Sequence, residues 1–202
     1  MNTFFKPLIS IVVSIFIFYV MDFGVYLPFE KSQMYIEARA KAQQQIHSLN
    51  DFNKIFDPVL NFYSPVGQEE IVAKYLEILV SVIKSQKDRD VVDYFIDKAE
   101  SLTDPTIEKG AGFSFSQILL SLGDVYQAAY SVTNDEAYYS KAVKTFRLGL
   151  TYSPNRSAFL YSLLGLYSGH QDKAGVTEIG NTILKFWPDN VRVREEVRAA
   201  LP

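Results

Sequence analysis

The side chains that could do chemistry are few and scattered. The chain has 202 residues, two histidines and no cysteine. The lack of cysteine removes disulfides, thiolate metal sites and cysteine nucleophiles together. His47 and His170 lie far apart in sequence, and neither has another ligand at metal-binding spacing. Each reads as a surface histidine, so no metal and no cofactor is expected. Glu69-Glu70 and Glu195-Glu196 are adjacent carboxylates. Neighbours on a helix point to different sides, which argues against a paired acid and base. Lys109-Gly110-Ala111-Gly112 lacks the remaining glycines and the Lys-Ser/Thr of a phosphate loop, and reads as a flexible linker. Arg192, Arg194 and Arg198 alternate with Glu195 and Glu196, so no basic patch forms. With a formal charge of −3, nucleic acid is not an expected partner. These residues form no catalytic constellation, and an enzyme is not expected.

The elements that would position such residues begin with a membrane segment. Leu8 to Leu27 is an apolar run of 20 residues with one charge, Asp22. At ~1.5 Å per residue it covers a hydrocarbon core ~30 Å thick. Its Ile, Val and Phe residues favour helix poorly in water, but in lipid every backbone polar group must be satisfied internally. Phe4 and Phe5 before the run, and Tyr26 and Phe29 after it, fit interfacial belts. Asp22 lies in the last third and can reach the headgroups. The competing reading is a cleaved signal peptide. Against it, Lys6 is a thin basic region, and Ala38-Arg39-Ala40 is too far downstream to be its cleavage site. Residues 1–27 are expected to stay, with membrane lipid around 8–27. Lys31, Arg39 and Lys41 follow the span, and counting basic residues alone would put the C-terminal part inside. A short tail before a first span is usually left in the cytoplasm, however. The expected topology is therefore single-pass, N-terminus cytoplasmic and the following domain extracytoplasmic.

Behind the span, Glu30 to Leu49 is rich in Ala, Gln, Glu and Lys and reads as a solvated helical stalk. Asn50-Asp51 offers an N-cap to a short apolar stretch, Phe52 to Phe62, which leads to Ser64-Pro65. From Gln68 to Lys84 the polar positions Glu70, Lys74, Glu77, Ser81 and Lys84 step by four and three. Val72, Tyr75, Leu76, Leu79 and Ile83 form the opposite stripe. Asp90 to Leu102 repeats the pattern, and Thr103-Asp104-Pro105 is expected to stop it. No segment alternates with period two, so no strand is expected. The fold class is all-α.

The C-terminal part contains a period. Tyr152-Ser153-Pro154-Asn155 recurs as Phe186-Trp187-Pro188-Asp189, with the prolines 34 residues apart. This period, with Pro after the second helix, resembles the tetratricopeptide repeat. Leu119, Leu122-Gly123 and Tyr126, then Ala142, Phe146 and Pro154, fill its signature in a first repeat. Seven extra residues around Tyr130 to Tyr139 imply a longer hairpin. A second repeat, Ser157 to Asn190, supplies Leu160, Leu163, Tyr167, Ile183 and Pro188. It departs at Leu164, where Gly is usual, at Val176, where Ala is usual, and at Gly180, where an aromatic is usual. Asn155-Arg156-Ser157 matches a glycosylation acceptor, but the repeat pattern makes it a helix start. Val191 to Ala200 would be the solvating cap helix such arrays need. The resemblance implies a short right-handed α-solenoid of tetratricopeptide-like hairpins. Its concave surface would bind a protein partner through Gln117, Asp124, Gln127, Tyr161 and Ser168, unless these are merely exposed polar residues. The expected segments are 1–29 anchor, 30–64 stalk and connector, 65–112 helix pair and 113–202 repeats with cap.

Nearly the whole chain also resembles the C-terminal tail of bacterial O-antigen ligase/polymerase-like membrane proteins. Asn61-Phe62-Tyr63-Ser64-Pro65, Glu69-Glu70-Ile71 and Leu150 to Arg156 carry that likeness. The multi-span glycan-transferring part of that family is absent from this sequence, and with it any basis for its activity. The first expectation is thus a membrane-tethered interaction module. The alternative is a tail or fragment of a glycan-assembly protein, positioning a glycan polymerase, a ligase or its acceptor.

Overall fold

A computed structural model describes residues 5–45, 48–112 and 114–201. His47 lies outside the described residues. Among the described residues every regular element is helical and no strand occurs. The chain divides into two compact units, Met1–Ile71 and Val72–Pro202.

In the first unit, α1 (Phe5–Met21) passes through a π-helical turn (Asp22–Tyr26) into α2 (Leu27–Gln45). The wide turn is closed by the Leu27 N–H, which donates to the Asp22 carbonyl. This rod contains one segment, Pro7–Ala42, that is long and apolar enough to cross a membrane. α3 (Leu49–Asn61) runs back along α2. Its cap is Ser48, whose hydroxyl accepts from the Asp51 N–H at 3.2 Å. The helix therefore starts ahead of the expected Asn50-Asp51. Phe52, Phe56, Val59 and Leu60 recur at helical spacing and are all buried.

The stalk is not solvated on all sides. Ala38 is buried, and Lys31 is only 2% exposed. The Lys31 ammonium donates to the Phe62 carbonyl at 2.6 Å and to Gln68 Oε1. Gln68 Nε2 in turn donates to the Leu60 carbonyl at 3.2 Å. Helix C-termini leave carbonyls without intrahelical partners and carry a partial negative charge. Lys31 and Gln68 therefore satisfy the end of α3. Composition hid this contact because the most buried α2 residues are a small alanine and a lysine, whose aliphatic stem can be covered while its ammonium finds acceptors.

The second unit is a run of helix hairpins. α4 (Gln68–Ser85) begins in the first unit and extends into the second. Its five stripe residues are buried, and the five polar positions opposite are exposed. α5 spans Arg89–Lys109, so Pro105 does not end it. Proline removes the N–H that would pair with the carbonyl four residues back. Here that carbonyl belongs to Ser101, and Ser101 and Pro105 are both exposed, so water can take the missing place. The helix stops at Gly110 instead, at φ +63°, whose N–H donates to the Ile107 carbonyl at 3.0 Å. The expected flexible linker is a helix terminator.

Then follow α6 (Phe115–Thr133), α7 (Glu136–Tyr152), α8 (Ser157–His170), α9 (Lys173–Phe186) and α10 (Val191–Ala200). Their connectors alternate between two and four residues. The first hairpin is the longer one, with 19 and 17 residues against 14 and 14, which absorbs the extra residues near Tyr130 to Tyr139. A Cβ on Gly123 of α6 would lie 2.2 Å from the Phe146 ring of α7. One on Gly175 of α9 would lie 2.5 Å from the Tyr167 ring of α8. Each hairpin closes by seating a ring where no side chain stands. Across hairpins, Gly180 receives Val197 of α10, which explains why no aromatic stands at that position. α10 covers the end of the array with Val193 and Val197.

Candidate partner-binding surface

Two tyrosines, one on α6 and one on α8, each tie their helix to the helix before it. The Tyr126 hydroxyl donates to Glu100 of α5 at 2.8 Å, and Lys141 of α7 donates to the same carboxylate at 2.6 Å. One hairpin later, the Tyr167 hydroxyl accepts from Arg147 Nε of α7 at 2.9 Å. Arg147 also donates twice to Glu178 of α9, at 3.0 and 2.7 Å. That side-chain pairing holds the Glu178 carboxyl below its usual range despite partial desolvation. These ties fix what the outward-facing side chains can present.

The five expected contact residues separate on this frame. Gln117 is half-buried, and its carbonyl accepts from the Arg156 guanidinium. Arg156 also donates to Ser116 Oγ at 2.7 Å and lies over the Phe159 ring at 5.5 Å. Gln117 is thus engaged in joining α6 to the start of α8. Asp124 is half-buried on α6. Burial pushes its carboxyl up to about 6; Glu77 of α4 adds to the rise and Lys84 opposes it. Gln127 is half-buried and Ser168 exposed; the Ser168 carbonyl accepts from the Gln171 N–H at 3.2 Å.

Tyr161 is exposed, and it stands beside the Phe186-Trp187-Pro188-Asp189 motif, whose recurrence marks the period in the sequence. Ser157 and Tyr161 of α8, with the run Phe186 to Asn190, line an open cleft of about 640 Å³. The Tyr161 and Trp187 rings are 6.2 Å apart, and Phe186 and Trp187 5.7 Å. All three rings are exposed. Asn190 Nδ2 donates to the Tyr161 hydroxyl at 2.6 Å, while its carbonyl caps α10 through the Val193 N–H. The cap therefore fixes the tyrosine. A signal was present in sequence: the chain's one tryptophan adjoins a phenylalanine and a proline at a helix end.

His170 is not a bare surface histidine. Its ring stacks on Tyr139 of α7 at 3.8 Å, and its Nε2 lies 2.9 Å from a Glu136 carboxylate oxygen. The lengthened first hairpin supplies both partners. Glu70 and Glu195 are exposed, and Glu196 accepts from Arg192 at 2.9 Å. Among the described residues no group of three His, Cys, Asp or Glu side chains is placed to hold a metal.

No family model, curated protein or solved structure matches this chain.

Proposed function

We propose that the chain is a membrane-tethered interaction module whose tetratricopeptide-like hairpins hold a protein partner beside the bilayer, with the hairpins outside the cytoplasm. The observation that carries the reading is the cleft of Tyr161, Phe186 and Trp187. Large aromatic side chains standing together at the surface mark contact sites more often than isolated ones do, and Trp and Tyr dominate the energetics of protein interfaces. Alternating connectors, ring-on-glycine closure and the repeated tyrosine hooks support a solenoid-like array. The apolar α1 supports the tether.

The test is photocrosslinking in intact membranes, with a crosslinking amino acid replacing Tyr161 or Gln127. A single discrete partner captured from Tyr161, and lost on Trp187→Ala, is the expected result. No adduct from either position, with no phenotype for Trp187→Ala, would sink the proposal. Topology is tested with C-terminal reporters: an active alkaline phosphatase fusion is expected, and a fluorescent green fluorescent protein fusion reverses the orientation.

A second reading, the tail of a glycan-assembly protein, is favoured by element order. An apolar helix, a Ser-Pro connector, a helix pair and further hairpins follow one another as in the resemblance described above. An open frame or adjacent gene upstream of Met1 encoding many hydrophobic spans would support it.

A further inference from the structure

Within the first unit, the connector after α3 returns to the level of the apolar helix. Tyr63 packs edge-on against Phe23, ring centroids 6.5 Å apart and planes at 75°. Phe23 is four residues before Leu27, the end of the apolar run. It lies about one helical turn inside that end. The loop is held there from three sides. Lys31 binds the Phe62 carbonyl one turn beyond Leu27. Ser64 Oγ donates to the Val66 carbonyl at 2.7 Å and closes the turn. Gly67 at φ +88° sends the chain into α4. What the loop turns outward is apolar: Tyr63 is 67% and Val66 59% exposed. Tyr26 and Phe29, on the rod itself, are exposed at neighbouring heights.

We propose that the Tyr63–Val66 loop is a second membrane contact, seated in the interfacial layer of the bilayer beside the C-terminal end of the span. This rests on the reading that α1 crosses a membrane. A tyrosine suits that layer, because its ring prefers the acyl boundary and its hydroxyl the headgroups. The loop and span together would fix the tilt of the α2–α3 hairpin on the membrane, where a single helix would leave it free to swivel.

The full chain has no native cysteine, so one can be placed at will. Tyr63→Cys, Val66→Cys, Phe16→Cys and Asn50→Cys are each labelled with an environment-sensitive fluorophore in phosphatidylcholine/phosphatidylglycerol vesicles. Tyr63 and Val66 are exposed, so their replacement empties no core. Asn50 lies at the opposite end of α3. Probes at 63 and 66 are expected to emit blue-shifted and to lose most of their fluorescence to lipids spin-labelled near the headgroup. The probe at 16 should respond to deep spin labels, and the probe at 50 to neither. Aqueous emission at 63 and 66 with a lipid signal at 16 overturns the loop contact and leaves the span intact. Shielding of 63 and 66 from both lipid and aqueous quenchers would mean a protein covers the loop, and also overturns it. An aqueous signal at 16 overturns the span and the loop contact with it.

Discussion

The two hairpins α6–α7 and α8–α9 solve one packing problem with the roles reversed. In the first, glycine stands on the leading helix and the ring on the following one: Gly123 receives Phe146. In the second, the ring is on the leading helix and glycine on the following one: Tyr167 enters at Gly175. Close approach of two helices needs one missing side chain at the crossing, and either helix can supply it. Leu164 is buried at the position where Gly123 stands in the first hairpin. A bulky residue is tolerated there because the glycine stands on the other helix of the pair.

The comparison breaks most sharply at its buried glycines. Gly123→Ala should destabilise the chain by about 3 kcal/mol, because Phe146 is fully buried and has no free direction to yield. Pairing it with Phe146→Leu should recover part of the loss in denaturant melts of the detergent-solubilised protein. Additive losses would show that the two residues do not interlock. Gly175→Ala should cost somewhat less, about 2 kcal/mol, with partial recovery by Tyr167→Leu; no recovery would refute the reversed pairing.

Asp124 sharpens the contrast from the charged side. Its carboxyl is raised to about 6 in the fold by burial, against about 3.9 in an unfolded chain. The folded state therefore holds the proton more tightly. This contribution increases stability as pH falls from 7 towards 4 and levels off once the unfolded carboxyl is protonated too. Asp124→Asn should stabilise by up to about 2 kcal/mol at pH 7 and by much less at pH 4. An equal effect at both values would mean that the charge is not what burial penalises. Arg147→Met removes a two-pronged but largely exposed pair with Glu178 and the donor to the Tyr167 hydroxyl, so a loss of about 1–2 kcal/mol is expected, its ion-pair part shrinking in high salt. The smallest effect should come from Gly165→Ala on α8. Nothing lies within 4 Å of its added Cβ, so helix propensity alone acts and stability should rise by about 0.5–1 kcal/mol. A loss there comparable to that at Gly123 would dissolve the distinction between interlocking and idle glycines.

The legible parts of the surface were those that depend on one helix at a time. Tyr161 was placed on the surface by the repeat resemblance, and it is exposed. Trp187 entered only as part of the recurring proline motif, because its place beside Tyr161 depends on how the α9–α10 connector meets α8. Gln117 has the same spacing as Asp124 on α6, yet Arg156, 39 residues later, occupies it.

Sequence by itself determined the all-helical class, the apolar run, the stripe of α4, the longer first hairpin and the bounds of α10. Each follows from local rules: hydrocarbon length, a 3.6-residue period, a recurring proline and a short amphipathic end. Tertiary structure decided the rest. It let α5 run through Pro105, because Ser101 and Pro105 lie on an exposed face where water can take the missing place. It buried Lys31 of a polar-looking stalk, because a helix end 31 residues away needed a cation. It seated Phe146 and Tyr167 at glycines on opposite members of their hairpins. Those outcomes depend on which surfaces meet, and a periodicity records only which way each helix faces.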